Sequence, residues 1–561
     1  MGKIAITGAL LLVAVSCLAN TATGAKGMVA TVHPIATEAA INAFKRGGNA
    51  IDAAVAAALT LGVVDGHNSG VGGGCFMLIR LASGKFVAID GREMAGAAAT
   101  RDMFVRDGKA NTVLSQTGAL ASGVPGSLAA YAYAMREFGK LKLAGHFNAA
   151  AGVAEAGFVL DALYIRKIAG AAGALQQFPA SKAAFFKGDG APYREGDVLR
   201  QRDLARSYRA MAKDGIKWFY DGPFSQATAK WMKDNGGILT EEDFRTYRLE
   251  LREPIFTTYR GYRIVSFPPP SSGGVHVAQI LNMLETRDVK AMGAGSADLI
   301  HFVTEAMKLA FADRAHWLGD PAFAPVPRGL VSKPYAISLV SRIKMDRAAK
   351  VEGHGTPERA HDDIFGKHTT HFSTADAEGN WVACTATINT AFGSKVVVPG
   401  TGIVLNNQMD DFSIQPGVRN AFGLVGAEAN AVAPGKRPLS SMSPTIVTKD
   451  GQPILALGAA GGPTIISQTL LTLVNVLDFG MPLDKALAAP RWHHQWSPDE
   501  LKIETGAGNA ALMELVARGH KLSKSSAFGA CNAVMKKPGS TEFTGVNDPR
   551  VPGAAKGFDP K

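Results

Sequence analysis

Hydrophobic and polar positions divide the chain into a helical beginning, a helical middle and a β-rich end. The stretch "ATEAAINAFKRGGNAIDAAVAAALTLGVVD" predicts a helix that ends at Gly47 and Gly48 and a second helix capped by Asn49. The second helix is apolar on nearly all sides, which predicts that it is buried. "CFMLIR" and "KFVAID" follow as two short strands around "LASG". Residues 150–250 are predicted to be mainly helical, with Thr240 as one N-cap.

The second half of the chain begins with two irregular segments. "FPPPSSGG" predicts a stiff loop that enters a helix at "VHVAQILNMLE", and residues 349–368 lack periodicity, which predicts an exposed linker. Directly after the linker, "TTHFSTAD" and "WVACTATI" alternate with period 2 around "AEGN", as in a hairpin. "GTGIVLNN" and "SPTIVTKDGQPILALGAAGG" are expected to continue the β pattern before a helix at "TIISQTLLTLVNVLDFG".

The N-terminus is typical of a secretory signal peptide. A basic head at Lys3 precedes an apolar run that ends at Ala19, and small residues continue to Ala25, so residues 1–25 are excluded from the predicted fold. A membrane anchor is the alternative, but the run is shorter than the ~20 apolar residues of a spanning helix. "AVSC" weakly resembles a lipoprotein processing site. Export to a periplasm is expected for a bacterial source, with secretion or lipid anchoring as alternatives.

Composition narrows the function classes. The chain has 561 residues, 47% of them hydrophobic, which is enough for a large core. The net charge of +11 is spread along the chain without a dense basic run, so no nucleic-acid partner is expected. Cys75, Cys384 and Cys531 lack the spacing of a zinc site or a disulfide framework and are interpreted as buried thiols. His493 and His494 lack a third ligand in sequence and are interpreted as structural, as is His371.

The pair of threonines at the end of the linker raises a question of chemistry. A threonine hydroxyl needs an adjacent base to act as a nucleophile. If the chain were cut between His368 and Thr369, the new α-amine, with a pKa near ~8, would supply that base. The alternative interpretation is that Thr369 is an ordinary β-branched strand residue, since threonine is common in strands.

A set of motifs decides between these interpretations, because together and in this order they resemble the γ-glutamyltranspeptidase (glutathione hydrolase) family of N-terminal-nucleophile hydrolases. The motifs are "DGREM", "PPPSSGG", "TTHFS", "TINTAFGS", "LNNQMDDFS", "RPLSSMSPT", "GAAGG" and "PRWHHQW". The resemblance implies an α+β fold, a four-layer αββα sandwich. It also implies self-cleavage into a large subunit (26–368) and a small subunit (369–561) that stay together as a heterodimer. No metal or organic cofactor is expected.

The resemblance assigns catalytic roles. It implies that Thr369 is the nucleophile, that Thr387 hydrogen-bonds its hydroxyl, and that Gly461 and Gly462 form the oxyanion hole with their backbone N–H groups. Taken alone, Thr387 would be a strand residue and the two glycines a turn.

The resemblance also implies the substrate. Asn389, Gln408 and Asp411 correspond to ligands of an α-amino group, and the α-carboxylate ligands correspond to three further residues: Arg92, Ser440 and Ser441. This is the head of a γ-glutamyl group, so glutathione and related amides are expected donors, with water, amino acids or dipeptides as acceptors. Phe422 stands where bacterial members often carry a lid tyrosine.

Two alternatives remain open at this point. One is a cephalosporin-type acylase on the same fold, whose glutaryl substrate lacks the α-amino group; Asp411 and Gln408 argue against it because they would lose their partner. The other is an exported binding protein that keeps the pocket but does not process itself.

Overall fold

The structure is a computed structural model that describes residues 20–358, residue 365 and residues 373–560. The predicted cleavage site at His368 and Thr369, the interpretation of His371 and most of the predicted leader lie outside the described residues. The predicted linker is described as far as residue 358, and residues 349–358 contain no helix or strand.

The described residues form twenty-one strands. In chain order they are β1 (Thr21–Gly24), β2 (Gly27–Thr31), β3 (Gly74–Arg80), β4 (Phe86–Gly91), β5 (Val105–Arg106), β6 (Lys109–Ala110), β7 (Phe158–Val159), β8 (Val198–Leu199), β9 (Glu250–Arg252), β10 (Ile255–Tyr259), β11 (Tyr262–Ser266), β12 (Ser373–Asp376), β13 (Trp381–Thr387), β14 (Thr445–Lys449), β15 (Gln452–Ala460), β16 (Trp492–His493), β17 (Leu501–Glu504), β18 (Leu522–Ser525), β19 (Ala530–Lys536), β20 (Phe543–Val546) and β21 (Ala554–Phe558).

The α-helices of the described residues number eighteen. They are α1 (Pro34–Lys45), α2 (Ala50–Val64), α3 (Thr112–Gln116), α4 (Ser127–Phe138), α5 (Leu143–Ala156), α6 (Ala162–Leu175), α7 (Pro179–Phe185), α8 (Arg202–Asp214), α9 (Lys217–Tyr220), α10 (Pro223–Asp234), α11 (Glu241–Arg245), α12 (Gly273–Leu284), α13 (Val289–Met292), α14 (Ala297–Trp317), α15 (Lys333–Val340), α16 (Thr464–Leu477), α17 (Leu483–Ala488) and α18 (Asn509–Ala517).

Two antiparallel seven-stranded sheets form the centre of the molecule. The first has the strand order β1-β20-β19-β15-β14-β11-β10, and the second has the order β21-β2-β12-β13-β3-β4-β9. The sheets pack face to face, with β13 against β15. Helices α12 and α16 cover the outer face of the first sheet, and α2 and α4 cover that of the second. Apolar side chains fill the spaces between these layers. The predicted four-layer αββα sandwich is therefore confirmed.

Most of the predicted elements are present. The Asn49 side chain accepts hydrogen bonds from the Ile51 and Asp52 backbone N–H groups at the start of α2, and every residue of α2 is buried. Thr240 caps α11, and β12 and β13 form the predicted hairpin. Cys75, Cys384 and Cys531 are buried free thiols, as predicted.

Two expectations differ from the structure. Thr21–Gly24, which the sequence analysis assigned to the leader, form an edge strand that pairs with β20. "GTGIVLNN" contributes only an isolated bridge between Val397 and Val404, because Gly400 and Gly402 adopt left-handed conformations that interrupt a strand. The first described strand therefore lies within the segment that was expected to be the leader.

None of the described helices is long and apolar enough to cross a membrane.

Candidate functional site

The turn between β15 and α16 carries two backbone N–H groups, those of Gly461 and Gly462, that are available to a ligand. Gly461 and Gly462 have φ values of +133° and +60°, which favour glycine. The Thr464 hydroxyl donates to the Gly461 carbonyl at 2.8 Å, which closes the turn at the start of α16. Neither glycine N–H donates to an acceptor among the described residues. Two free amides beside a helix N-terminus suit an oxyanion.

Thr387 is placed by close packing of the glycine-rich segment 72–74. It pairs with Gly74 at the end of β13, and a Cβ on Gly73 would lie 2.0 Å from the Thr387 carbonyl oxygen. Only glycine permits this approach. The Asn389 backbone N–H donates to the Thr387 hydroxyl oxygen at 2.8 Å, so the hydroxyl hydrogen remains available for a further acceptor.

Three acceptor groups lie side by side near Thr387. Asn389, at φ +80°, donates its amide N–H to the Asn407 carbonyl at 2.9 Å, which leaves its side-chain oxygen available. The Gln408 amide donates to Asp411 at 3.3 Å, and the Gln408 side-chain oxygen is buried without a partner among the described residues. Two amide oxygens and a carboxylate match the needs of an ammonium group.

Two hydroxyl groups form the opposite part of the site. The Ser440 hydroxyl oxygen accepts from the Met442 N–H at 3.1 Å, and that of Ser441 accepts from Arg314 at 3.2 Å. Both hydroxyl hydrogens are thus free to donate to an anion. The predicted stiff loop braces this segment, since Ser272 donates its N–H and its hydroxyl to the Ser440 carbonyl.

Arg92 joins the two parts. Its guanidinium donates to Asp411 at 2.5 Å and to the carbonyls of Pro438 and Leu439. Glu93 lies 3.6 Å from the same guanidinium, but burial raises the pKa of Glu93 to about 8 despite the arginine. Burial also raises the pKa of Asp411, an effect that Arg92 opposes. Of these two acids, Asp411 is the one that accepts a hydrogen bond from Arg92.

These groups line one cavity of about 280 Å³ between the sheets and the loops above them. The structure brings nine predicted site residues to its wall: Arg92, Thr387, Asn389, Gln408, Asp411, Ser440, Ser441, Gly461 and Gly462. Thr369 lies outside the described residues. Phe422 also lines the cavity and lies so close to Gly462 that a Cβ there would be 2.6 Å from the ring.

The sequence analysis did not single out Arg314, which lines the same cavity from α14 and is buried. Its neighbours in sequence carry no motif, and only the fold brings it to Ser441. One signal could have identified Arg314. It is a charged residue on a helix that is almost wholly buried, and a buried charge without a partner is unusual.

A second buried cluster lies outside the cavity and was also missed. Among the described residues, His301, Glu305 and His520 are the group whose atoms could hold a metal ion. The two imidazoles already hydrogen-bond each other at 2.8 Å, and the Lys308 ammonium lies 2.9 Å from Glu305. These contacts give the cluster a structural explanation without a metal.

His493 and His494 have protein partners in agreement with their structural interpretation. His493 contacts the Ser467 hydroxyl and the Gln495 amide, each at 3.1 Å, and His494 contacts Asp499 at 3.1 Å.

The four-layer sandwich, with a cavity at the end of β13 between its sheets, defines the class of N-terminal-nucleophile hydrolases. A family model described as Gamma-glutamyltranspeptidase matches residues 36–558. The chain therefore belongs to the γ-glutamyltranspeptidase family.

Individual relatives agree on the family and differ in the activity their names state. The chain is 45% identical to a glutathione hydrolase proenzyme of Escherichia coli (strain K12), over 94% of this chain and 90% of that protein. It is 40% identical to the Acylase ACY 1 proenzyme of Pseudomonas sp. (strain V22), over 94% and 92%. Among solved structures, a cephalosporin acylase from Bacillus halodurans aligns with a TM-score of 0.86 at 30% identity, covering 97% of each chain.

Proposed function

We propose that the protein is a self-processing γ-glutamyltranspeptidase and glutathione hydrolase. The observation that supports it most directly is the pairing of ammonium acceptors with carboxylate donors in one cavity. An α-amino acid head is the ligand that uses both sets, and it would leave the γ-carbonyl of a glutamyl group to reach the nucleophile. Family membership supports the same activity.

The proposed reaction begins with processing. The Thr369 hydroxyl attacks the carbonyl carbon of His368, the peptide bond breaks, and water hydrolyses the resulting ester. The products are a large subunit that ends at His368 and a small subunit whose new α-amine serves as base. Thr387 is proposed to orient the Thr369 hydroxyl through the hydroxyl hydrogen that its contact with Asn389 leaves free.

Turnover is proposed to follow a ping-pong course. The α-amine takes the proton of the Thr369 hydroxyl, whose oxygen attacks the γ-carbonyl of the substrate, and Gly461 and Gly462 donate to the oxyanion. The C–N bond then breaks, the leaving amine takes the proton, and a γ-glutamyl ester remains. Water releases glutamate from this ester, whereas an amino acid or dipeptide gives a new γ-glutamyl amide.

The α-carbon substituents are proposed to orient the substrate. Asp411 supplies the negative charge for the ammonium, with Asn389 and Gln408 as neutral acceptors. On the carboxylate side we assign Ser440 and Ser441 as hydroxyl donors and Arg92 as the cation that joins both groups.

Phe422 is proposed to cover the cavity as an aromatic lid. Its ring packs on Gly462, and its carbonyl accepts from the Gln495 amide at 3.2 Å. A phenyl ring excludes water but has no hydroxyl that could hydrogen-bond to Asn389.

The N-terminal segment is proposed to direct export, with a periplasm as the compartment in a bacterial source. Because Thr21–Gly24 pair with β20, we propose that a leader is removed before this strand.

The experiment that tests the proposed function is intact-mass analysis of the purified protein, followed by release of p-nitroaniline from γ-glutamyl-p-nitroanilide. Two fragments, the smaller beginning at Thr369, together with amine release that rises when glycylglycine is added, are expected. Thr369→Ala should stay as one chain and be inactive. A wild-type chain that never cleaves would instead favour a non-catalytic binding protein.

A glutaryl amidase is the second candidate, because an acylase relative at 40% identity and a cephalosporin acylase structure with a TM-score of 0.86 also align over nearly the whole chain. A glutaryl group would leave the buried Gln408 oxygen without a donor and would bring no ammonium to the Asp411 oxygen that Arg92 and Gln408 do not contact, which costs free energy. We therefore expect γ-glutamyl-p-nitroanilide to be cleaved with a higher kcat/KM than glutaryl-p-nitroanilide. The reverse order would favour the acylase.

A further inference from the structure

Arg314 lies behind the two serines of the cavity. It belongs to α14, is 5% exposed, and lines the cavity. Its Nη2 donates to the Ser441 hydroxyl at 3.2 Å and its Nε donates to the Ser272 hydroxyl at 3.0 Å. Among the described residues, the guanidinium thus hydrogen-bonds to two hydroxyl groups and to no other group.

The charge of Arg314 has no carboxylate within ion-pair distance among the described residues. Two other buried arginines of the molecule do have such a partner: Arg92 contacts Asp411, and Arg491 contacts Asp548. Burial lowers the pKa of Arg314 to about 10, and it remains a cation at neutral pH. Asp411 stabilises this cation only from beyond ion-pair distance, and the remaining cost of burying the charge falls when an anion enters the adjacent cavity.

Arg314 also sets the geometry of both serines. It holds the Ser441 hydroxyl oxygen directly. It reaches Ser440 through Ser272, whose hydroxyl accepts from Arg314 and donates to the Ser440 carbonyl at 2.7 Å. One side chain therefore holds the Ser441 hydroxyl and, through Ser272, the backbone of Ser440, and it supplies the positive charge beside both serines.

We propose that Arg314 is a positioning residue for the α-carboxylate of the substrate: it orients Ser440 and Ser441 and provides the charge that attracts the anion. This inference rests on the proposed function, which it deepens by adding a residue of the large subunit to substrate selection. It predicts that replacing Arg314 weakens binding of ligands that carry the α-carboxylate and does not affect recognition of the α-amino group.

The test measures Kd by calorimetry on the processed protein for three ligands. L-glutamate carries both α-substituents, glutarate lacks the amino group, and 4-aminobutyrate lacks the α-carboxylate. Loss of one charged hydrogen-bonding partner corresponds to about 10- to 100-fold in Kd, and Arg314→Met should weaken L-glutamate and glutarate by that factor. Binding of 4-aminobutyrate should change by less than about threefold, since it makes no contact of this kind.

Milder variants keep the test decisive if Arg314→Met does not fold. Arg314→Lys keeps the positive charge but lacks the planar set of guanidinium donors, and it should weaken L-glutamate binding less than Arg314→Met does. Ser272→Ala removes the link to Ser440 alone and should act in the same direction. If these variants weaken all three ligands equally, or none of them, the inference is overturned.

Arg80→Met is the matched control. Arg80 is also buried and donates only to neutral groups, the carbonyls of Gly379 and Gly451, but it lies away from the cavity. It should lower stability and leave the ratio of the three Kd values unchanged. Normal L-glutamate binding without hydrolysis of a γ-glutamyl amide would contradict the proposed function and leave this inference standing.

Discussion

At the residue scale, the contact between Arg92 and Asp411 couples the two halves of the cavity. The same carboxylate oxygen accepts from Arg92 and from Gln408, so the other oxygen is the one available to a ligand ammonium. A substrate that brings its own ammonium and carboxylate can interact with both members of this ion pair without leaving either charge unpaired. Under the proposed function, we therefore expect a zwitterion to bind more tightly than a simple acid.

Replacing Asp411 by Asn should weaken recognition of the substrate's ammonium group and leave the other contacts of the site in place. The variant loses the charge that faces the ammonium, and kcat/KM for γ-glutamyl-p-nitroanilide should fall by roughly 10- to 100-fold, as expected for a charged hydrogen bond. Hydrolysis of glutaryl-p-nitroanilide, which has no ammonium, should not fall. Equal losses on both substrates, measured by steady-state kinetics, would show that Asp411 acts only through Arg92.

Gly462→Ala tests the oxyanion turn. Its φ of +60° and the 2.6 Å approach to the Phe422 ring both oppose a Cβ, so the turn must shift. Displacing an oxyanion donor costs about 10²- to 10³-fold in kcat, which is the expected loss. Gly480→Ala is the control, because Gly480 has φ +63° but no atom within 4 Å of a Cβ. It should cost stability and leave kcat intact, and similar kcat values for both variants would argue against an oxyanion role.

Residue identities at the site were largely predictable, whereas their contacts were not. Asp411 and Arg92 carry motifs, but they are 319 positions apart, and no local pattern indicates their ion pair. Arg314 carried no motif at all, because its role depends on which side of a buried helix meets the cavity.

At the element scale, the end of β13 is positioned by the glycines of segment 72–74. A Cβ on Gly73 would lie 2.0 Å from the Thr387 carbonyl oxygen, so backbone packs directly on backbone beside the cavity. Local sequence patterns correctly predicted helix α2 and the hairpin of β12 and β13. They failed for "GTGIVLNN" and for Thr21–Gly24, because left-handed glycines and edge pairing with a distant strand decide those segments.

Gly73→Ala should therefore displace Thr387 and lower both activity and stability. An added Cβ meets backbone atoms that cannot rotate away, so an overpacking cost of about 1–3 kcal/mol is expected. Gly170→Ala is the matched control: Gly170 lies on α6 with open space around it, and the change should stabilise by up to about 1 kcal/mol. Urea unfolding measures both values. A Gly73→Ala variant as stable and active as wild type would contradict this packing argument.

At the scale of the whole molecule, a buried ion cluster ties the two proposed subunits together. Arg252 on β9 and Arg437, beyond the predicted cleavage point, both lie near Asp90 on β4. Burial alone would raise the pKa of Asp90, but the two arginines outweigh it and hold the pKa at about 2.

Asp90 should consequently make stability depend on pH at the acid end. Its folded pKa lies below its ordinary value of 3.8, so its contribution is complete above about pH 4 and is lost as pH falls towards 2. Among the described residues, Asp90→Asn leaves the buried Arg252 without a carboxylate and Arg437 with only Glu250 at 4.0 Å, and it should cost about 3–5 kcal/mol at pH 7, with a smaller difference from wild type near pH 2. Urea unfolding at pH 7 and in acid gives the comparison.

The control for Asp90 is Glu428→Gln, which breaks the exposed pair with Arg101 and should cost less than about 1 kcal/mol. A pH-independent difference between Asp90→Asn and wild type would show that the charge of Asp90 is not what the arginines require.

The two sheets also predict how the molecule behaves after cleavage. The first sheet combines β1, β10 and β11 with β14, β15, β19 and β20, and the second combines β2, β3, β4 and β9 with β12, β13 and β21. Each sheet thus takes strands from both sides of the predicted cut between His368 and Thr369. Separating the fragments would break ladder hydrogen bonds and expose both cores, which amounts to unfolding.

Processed protein should therefore elute from a sizing column in native buffer as one particle, at the position of the uncleaved Thr369→Ala chain. The fragments should separate only in denaturant, and the small fragment alone, which lacks β2, β3 and β4 beside its own β12 and β13, should not refold. Dissociation of the fragments in native buffer would contradict this prediction, because strands paired as the structure shows cannot part without loss of the fold.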